Sequence, residues 1–324
     1  MTAIVTLIPA YKTEYLGDLF TGLISQKMKD FKVILSDDSP DGEVTEKIRK
    51  GFYGNISEKI NLLVVRGPCQ GAHKNTQYLI REWGRTAPFV HIHLDDDFIY
   101  PDFYRAHLQL NLYHKFSASA SLRWVTDING QPDQEFPLPE FLQKNINHII
   151  KLTSFEIFNS TIPSCTNWIG EFTNMIFDSN IANLYLDLKI ADFSYYGLND
   201  IGLLLDGSRL APVGIIRDHL SGFRRHPNQS TAQINSHGIK CGHIAWCALA
   251  FASLKEGRIS PESAMHSIKI AINRANRLYH ADESIQKFLN LDKNENFDIE
   301  KSSIYFHSIW NDFLKSNSDS GFIL

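Results

Sequence analysis

The sequence predicts an α/β fold in which a mostly parallel sheet is covered by helices on both faces. Two observations carry that prediction. Short apolar runs alternate with segments of helical period from Ala3 to Asp97, and each run is apolar throughout rather than at every second residue. Strands buried on both faces read this way, and parallel strands need crossover helices between them. A third observation locates function. Three runs end in distinctive polar groups, Pro9-Ala10-Tyr11, Asp37-Asp38 and Asp95-Asp96-Asp97. In such sheets ligands bind beyond the carboxyl ends of the strands, so neighbouring strands would bring these groups to one cleft.

Taken in order, Ala3 to Tyr11 is a buried strand interrupted by Pro9. Leu16, Leu19, Phe20, Leu23 and Ile24 follow the spacing of a helix packed on one face. Phe31 to Leu35 is a second buried strand, "EVTEKIRKGF" a helix and "INLLVVRG" a third strand. A helix over His73 to Trp83 leads into the strand "FVHIHLDDD". "SASASLRWVTDINGQP" predicts a strand and a turn at Asn129-Gly130, and "PEFLQKNINHIIKL" reads either as a helix or as a loop holding an amphipathic segment. From His237 the character becomes helical. "GHIAWCALAFASLKEG" stops at Gly257, a C′ residue, and Ser260-Pro261 supplies an N-cap and Pro at N1 for the next helix. "DESIQKFLNL" and "IEKSSIYFHSIWNDFLKS" complete a helical appendage. The expected division is 1–236 for the main domain, with halves 1–116 and 117–236, and 237–324 for the appendage.

Composition narrows the function. The 324 residues carry 32 basic and 36 acidic side chains, a net charge of −4, and no basic block. Nucleic acid is therefore excluded as the main partner. Four cysteines form no CxxC pair, so neither a zinc site nor a disulfide framework is indicated. The N-terminus lacks the basic and apolar regions of a signal peptide, and no apolar run reaches about 18 residues. A cytoplasmic protein is expected, with peripheral association at the inner face of a membrane left open.

Three adjacent carboxylates flanked by Leu94, Phe98 and Ile99 are costly unless a cation or donors compensate them. Mg²⁺ and Mn²⁺ take oxygen ligands and combine one or two carboxylates with phosphates and water. Asp97 is assigned to such a metal, with Asp95 or Asp96 at a ribose or a metal-bound water. His91 and His93 alternate on one strand face and are read as structural.

The ordered set of motifs resembles the family 2 inverting glycosyltransferases of the GT-A fold, over residues 3–230. "VTLIPAY" with Ser36-Asp37-Asp38-Ser39, then "GAHKNTQYLI", "HLDDDFIYPDF", "NWIGEFTNMIFD" and "GLNDIGLLLDG" with its closing "RRHPNQST" carry the resemblance. It implies a nucleotide-diphospho-sugar donor, UDP-sugar first, and Mn²⁺ or Mg²⁺. Pro9, Ala10 and Tyr11 would wall the base, Asp38 (or Asp37) would accept its hydrogen bond, and Lys74 and Arg224 would meet the nucleotide or diphosphate. Asp95 and Asp97 with His226 would hold the metal. Trp168 and Glu171 would shape the acceptor pocket. Asp200 would be the general base, since Asn199-Asp200 stands where the family has an acidic pair, with Glu171 and Asp192 ranked behind it. The acceptor would be a glycan, a lipid-linked sugar or a protein hydroxyl. A catalytically degenerate sugar-nucleotide-binding module and a sugar-nucleotide nucleotidyltransferase are the alternatives. "IPAYKTEYLG" lacks the Gly-rich loop expected of the latter, and GxGxxG is absent.

Overall fold

A computed structural model describes residues 2–145, 147–291 and 298–316. The first half follows the predicted alternation: β1 (Ile4–Ala10), α1 (Leu16–Ile24), β2 (Phe31–Asp37), α2 (Glu43–Arg49), β3 (Leu62–Arg66), α3 (Ala72–Trp83) and β4 (Phe89–Ile92). Next come β5 (Phe98–Ile99), α4 (Phe103–Tyr113), β6 (Ala118–Thr126), β7 (Pro132–Glu135), α5 (Glu140–Gln143), β8 (Ile149–Leu152) and α6 (Ser154–Thr161). They are followed by β9 (Met175–Asp178), α7 (Ser179–Ala182), the pair β10 (Lys189–Ile190) and β11 (Phe193–Ser194), α8 (Asn199–Ser208) and β12 (Val213–Arg224). Four helices close the chain: α9 (His237–Lys255), α10 (Pro261–Tyr279), α11 (Glu283–Gln286) and α12 (Ile299–Lys315).

The central sheet has the order β3-β2-β1-β4-β9-β6-β12-β5, with β7 on β6 and β8 on β12. β3, β2, β1 and β4 are parallel neighbours. β9 is antiparallel to both β4 and β6, so β6 and its parallel partner β12 run in the same direction as β1. The sheet is thus mostly parallel in direction, and the carboxyl ends of β1, β2, β4 and β12 lie on one edge. The strand order reverses at β1, which opens a crevice there between the ends of β1 and β4. All seven residues of β1 are buried. Leu19, Phe20 and Leu23 of α1 join Ile4, Ile8, Val33, Leu35, Phe103 and Tyr104 in one apolar cluster, which is the reason the strand sequences there are mostly apolar.

The stretch read as a helix or a loop is mostly neither. Only Glu140–Gln143 is helical, and Ile149–Leu152 is a strand paired antiparallel with β12. Its exposure alternates residue by residue, the two-residue period of an edge strand.

The chain forms two compact units. The first comprises Met1–Leu152, Trp168–Leu186 and Gly207–Gln229, and the second comprises Thr153–Asn167, Asp187–Asp206 and Ser230–Leu324. The second unit therefore groups the C-terminal helices with two earlier stretches of chain. Within it α9 is buried on most of its surface, and Phe193, Phe251, Phe306, Phe288 and Trp310 pack as an aromatic cluster. Trp310 Nε1 donates to the Ser194 carbonyl at 2.9 Å. Gly257 has φ +66° just after α9, the left-handed conformation expected of a C′ residue. The Ser260 side chain accepts from the Ser263 N–H at 3.2 Å, with Pro261 at N1. Among the described residues no helix is long and apolar enough to cross a membrane.

Candidate active site

The edge at the ends of β1 and β4 belongs to the first unit and gathers most of the predicted residues. Pro9 and Ala10 are buried in β1 beside Ser36 and Asp37 of β2. The chain emerges at Tyr11, whose side chain is 52% exposed. Asp95 Oδ2 accepts the backbone N–H groups of Tyr11 (2.8 Å) and Lys12 (2.9 Å), which binds the acidic turn to the end of β1. Burial, then the neighbouring Asp96 charge, push the Asp95 carboxyl up to about 6.

Asp97 is only 1% exposed. Its Oδ1 accepts the Arg224 backbone N–H at 3.0 Å, while Oδ2 is buried with no hydrogen-bond partner among the described residues. Burial and then the Asp96 charge raise this carboxyl well above the usual range, against the opposing bonds from the Arg224 N–H and the Thr173 hydroxyl. His226 Nε2 lies 3.1 Å from Asp96 Oδ2, and its Nδ1 is also buried without a partner. The direction of β12 brings this histidine to the acidic turn, across a separation of 130 residues. A buried carboxylate oxygen lacking a donor, next to a second carboxylate that itself meets an imidazole, has the chemistry to hold a divalent cation of mixed oxygen and nitrogen ligands. Among the described residues no group of three or more His, Cys, Asp or Glu is arranged as a metal cage.

Asp37 and Asp38 face the protein. Asp37 accepts from Ser39 N (3.0 Å), Ser39 Oγ (2.5 Å), Thr45 N (2.8 Å) and Thr45 Oγ1 (2.7 Å). Burial raises its carboxyl, and these bonds outweigh burial and hold it below the ordinary value. Asp38, 3% exposed, accepts from Cys69 N (2.6 Å) and Gly71 N (2.9 Å), and so shapes the 67–71 loop. Its carboxyl is raised, by burial first. Lys74 is half-buried on α3 with its ammonium pKa lowered by burial and then by Arg81.

Two expectations need correction. Arg224 is not offered to a ligand. It is 1% exposed, and its guanidinium donates to the Asp96 carbonyl (Nε, 3.0 Å), the Ile128 carbonyl (Nη1, 2.6 Å) and Asp18 Oδ2 (Nη2, 2.7 Å). Trp168 is 2% exposed and packs edge-on to Phe141, so it has no open face for a sugar. Glu171 remains partly open, 3.7 Å from Arg123. Gly170 between them has φ +134°, and a Cβ there would overlap Asn174 and come 2.7 Å from Arg123 Nη1.

In the second unit Asp200 opens α8. Its Oδ1 accepts the Ile201 N–H at 2.7 Å and its Oδ2 accepts from Asn167 Nδ2 at 3.1 Å. A helix N-terminus favours the charged carboxylate. Asp192 sits instead in the exposed turn between β10 and β11, with φ +74°, and pairs with Lys255 at 3.0 Å. The Lys255 bond and charge lower its pKa.

Sequence reasoning missed Lys12 and Asn167. Lys12 Nζ donates to the Asn228 carbonyl, two residues beyond His226. Its place directly after Tyr11 at a strand end was the available signal. Asn167 opens the quoted "NWIGEFTNMIFD", but an isolated Asn carries no signal of its own.

Among solved structures the fold is similar to that of TarS from S. aureus. Residues 1–349 of TarS in complex with UDP-GlcNAc superpose with a TM-score of 0.59 at 14% identity, over 98% of this chain and 92% of that one. The same fragment with UDP gives 0.53 at 14% identity, over 98% and 92%. A longer TarS chain gives 0.53 at 16% identity, over 98% of this chain and 50% of that one. At these identities the likeness concerns the fold, which is the mixed α/β architecture with a mostly parallel sheet flanked by helices. No protein-family model and no curated protein matches the sequence.

Proposed function

We propose that the protein is a metal-dependent inverting glycosyltransferase of family 2 type that moves a sugar from a nucleotide-diphospho-sugar, UDP-sugar first, to a hydroxyl acceptor. The observation that carries this reading is the buried, partnerless Asp97 Oδ2 beside Asp96 and His226 at the reversal of strand order. The presence of UDP-GlcNAc and UDP in TarS complexes of the same fold supports the choice of donor.

In this reading Tyr11 flanks the base, Asp38 holds the 67–71 loop against it, and Lys74 lies near the nucleotide. Asp97 and His226 hold Mn²⁺ or Mg²⁺, while Asp95 fixes the turn to β1. The cation, when bound, neutralises the leaving diphosphate as a Lewis acid. Asp200 takes the proton of the acceptor hydroxyl as the oxygen bonds to the anomeric carbon. The bond to the diphosphate breaks on the opposite face, and the nucleoside diphosphate leaves with the electron pair. Asn167 and the Ile201 N–H orient the Asp200 carboxylate. Glu171 takes part in acceptor binding. A glycan, lipid-linked sugar or protein hydroxyl fits as acceptor, with the reaction placed in the cytoplasm or at the inner face of a membrane.

The test is calorimetric titration of UDP-, GDP- and dTDP-sugars with Mn²⁺ or EDTA, followed by turnover of the donor that binds. Metal-dependent binding, and loss of turnover in Asp200→Asn with binding kept, are expected. Binding without turnover in the wild type would replace the transferase by a degenerate binding module. No binding of any of them at millimolar concentration with metal would overturn the reading.

A further inference from the structure

We propose that Arg224 is a positioning residue for the acidic turn, and that Asp18, on the surface of α1, sets its geometry. The inference rests on the reading of Asp97 and His226 as cation ligands. Three properties of Arg224 support it. Its backbone N–H holds Asp97 Oδ1 (3.0 Å) and its Nε holds the carbonyl that joins Asp96 to Asp97 (3.0 Å), so one residue grips the turn at two successive positions. Its guanidinium lies between the rings of Tyr15 (4.6 Å) and Phe98 (5.3 Å), and the Tyr15 ring in turn packs against the His226 ring with centroids 4.8 Å apart. Its remaining edge is fixed by Ile128 and by Asp18.

This arrangement joins the two ligand-bearing segments, the acidic turn and the end of β12, which are otherwise far apart in sequence. Asp18 is the outermost member. Its side chain is 60% exposed, and with Arg224 it lines an open groove of about 270 Å³. The carboxylate therefore directs the guanidinium from the solvent side without touching any proposed ligand. Residues that contact metal ligands, as Arg224 would, typically change the affinity by about 10- to 100-fold when altered, and Asp18, one step further out, should act more weakly.

The experiment measures Mn²⁺ affinity in the presence of UDP from the free-ion EPR signal, on folded protein, with no turnover required. The variants are Asp18→Asn, Arg224→Lys, and Glu140→Gln as an exposed-carboxylate control on α5. Asp18→Asn should weaken Mn²⁺ binding by about threefold to tenfold with the melting midpoint in EDTA unchanged. Arg224→Lys should weaken it by more than about tenfold, because an ammonium cannot reproduce the planar fork. Glu140→Gln should match the wild type. A purely structural Arg224 would lower the EDTA midpoint and leave the affinity of the folded protein unaltered. Asp18→Asn within twofold of the wild type would overturn the proposal, and this variant decides the matter if Arg224→Lys does not fold. A wild type that binds no Mn²⁺ would instead overturn the metal reading on which it rests.

Discussion

Replacing Asp97 by Asn should change stability in opposite directions with and without ligand. Asp97 is buried, its Oδ2 has no partner, and the Asp96 charge repels it. Asn keeps an oxygen for the Arg224 N–H, places an uncharged amide nitrogen where the partnerless oxygen was, and removes the charge. An unsatisfied buried polar group costs about 1–3 kcal/mol, and more when charged. In EDTA the variant should therefore be more stable by about 1 kcal/mol, the part of the cost that belongs to the charge, which for a chain of this size is roughly 2–4 °C in the melting midpoint. Ligand reverses the order. At 100 times the dissociation constant, Mn²⁺ with UDP would stabilise the wild type by about 2.7 kcal/mol, and the variant should gain little. Differential scanning calorimetry of both proteins in EDTA and in Mn²⁺ with UDP reads both arms. A variant less stable than the wild type in EDTA would refute the reasoning, since the carboxylate would then be compensated by protein contacts alone.

Three further outcomes follow from the same geometry. Gly170→Ala should lower stability by about 2–4 kcal/mol, measured from the urea midpoint, because its φ of +134° and the approach of Asn174 and Arg123 leave no room for Cβ. Asp192→Asn should leave turnover and the melting midpoint unchanged, given its exposed turn and its pairing with Lys255; a loss of turnover would return it to consideration as the base. Proton linkage should show opposing contributions in nearly the same pH window. His73 and His93 have pKa values lowered by burial to about 4, so their contribution to stability is present above the unfolded value of 6.5 and is lost as pH falls toward 4. Asp95, raised to about 6, acts oppositely: the folded state is favoured by protonation, and that advantage is lost as pH rises from 3.8 to 6. Mn²⁺ affinity should accordingly increase across the latter window, and a flat pH profile of Mn²⁺ binding would exclude Asp95 from the site.

The parts of this architecture legible in the sequence are those whose cause is local. β1, β2 and β4 are largely buried and read as apolar runs, β3 reads the same way although it lies half-exposed at the sheet edge, and the polar groups that end β1, β2 and β4 mark the functional edge. Gly257 and Ser260-Pro261 mark helix ends through backbone chemistry that needs no partner. What escaped depends on partners far along the chain. β9 has four residues and takes its place only by pairing with β4 and β6. The alternation in Ile149–Leu152 was obscured by the flanking helix-like residues. Arg224 and Trp168 carry types common in ligand sites, yet burial turned both inward: a sequence records a guanidinium or an indole, not which way it faces. His226 is the converse case, since the direction of β12 alone decides that it meets Asp96.

The place of β12 also has a consequence for synthesis of the chain. As residues leave the ribosome, β1 to β4 and the three aspartates emerge first, and Arg224 follows 127 residues after Asp97. Until β9 and β12 are made, the edge of β4 has no neighbour on one side and Asp97 lacks its backbone donor. A truncated or stalled chain would thus display an unpaired strand edge and a concentrated negative charge together, one inviting association and the other opposing it. β9 removes the first condition by pairing with β4, and β12 then supplies the Asp97 donor, so the last strand of the sheet completes the assembly of the site.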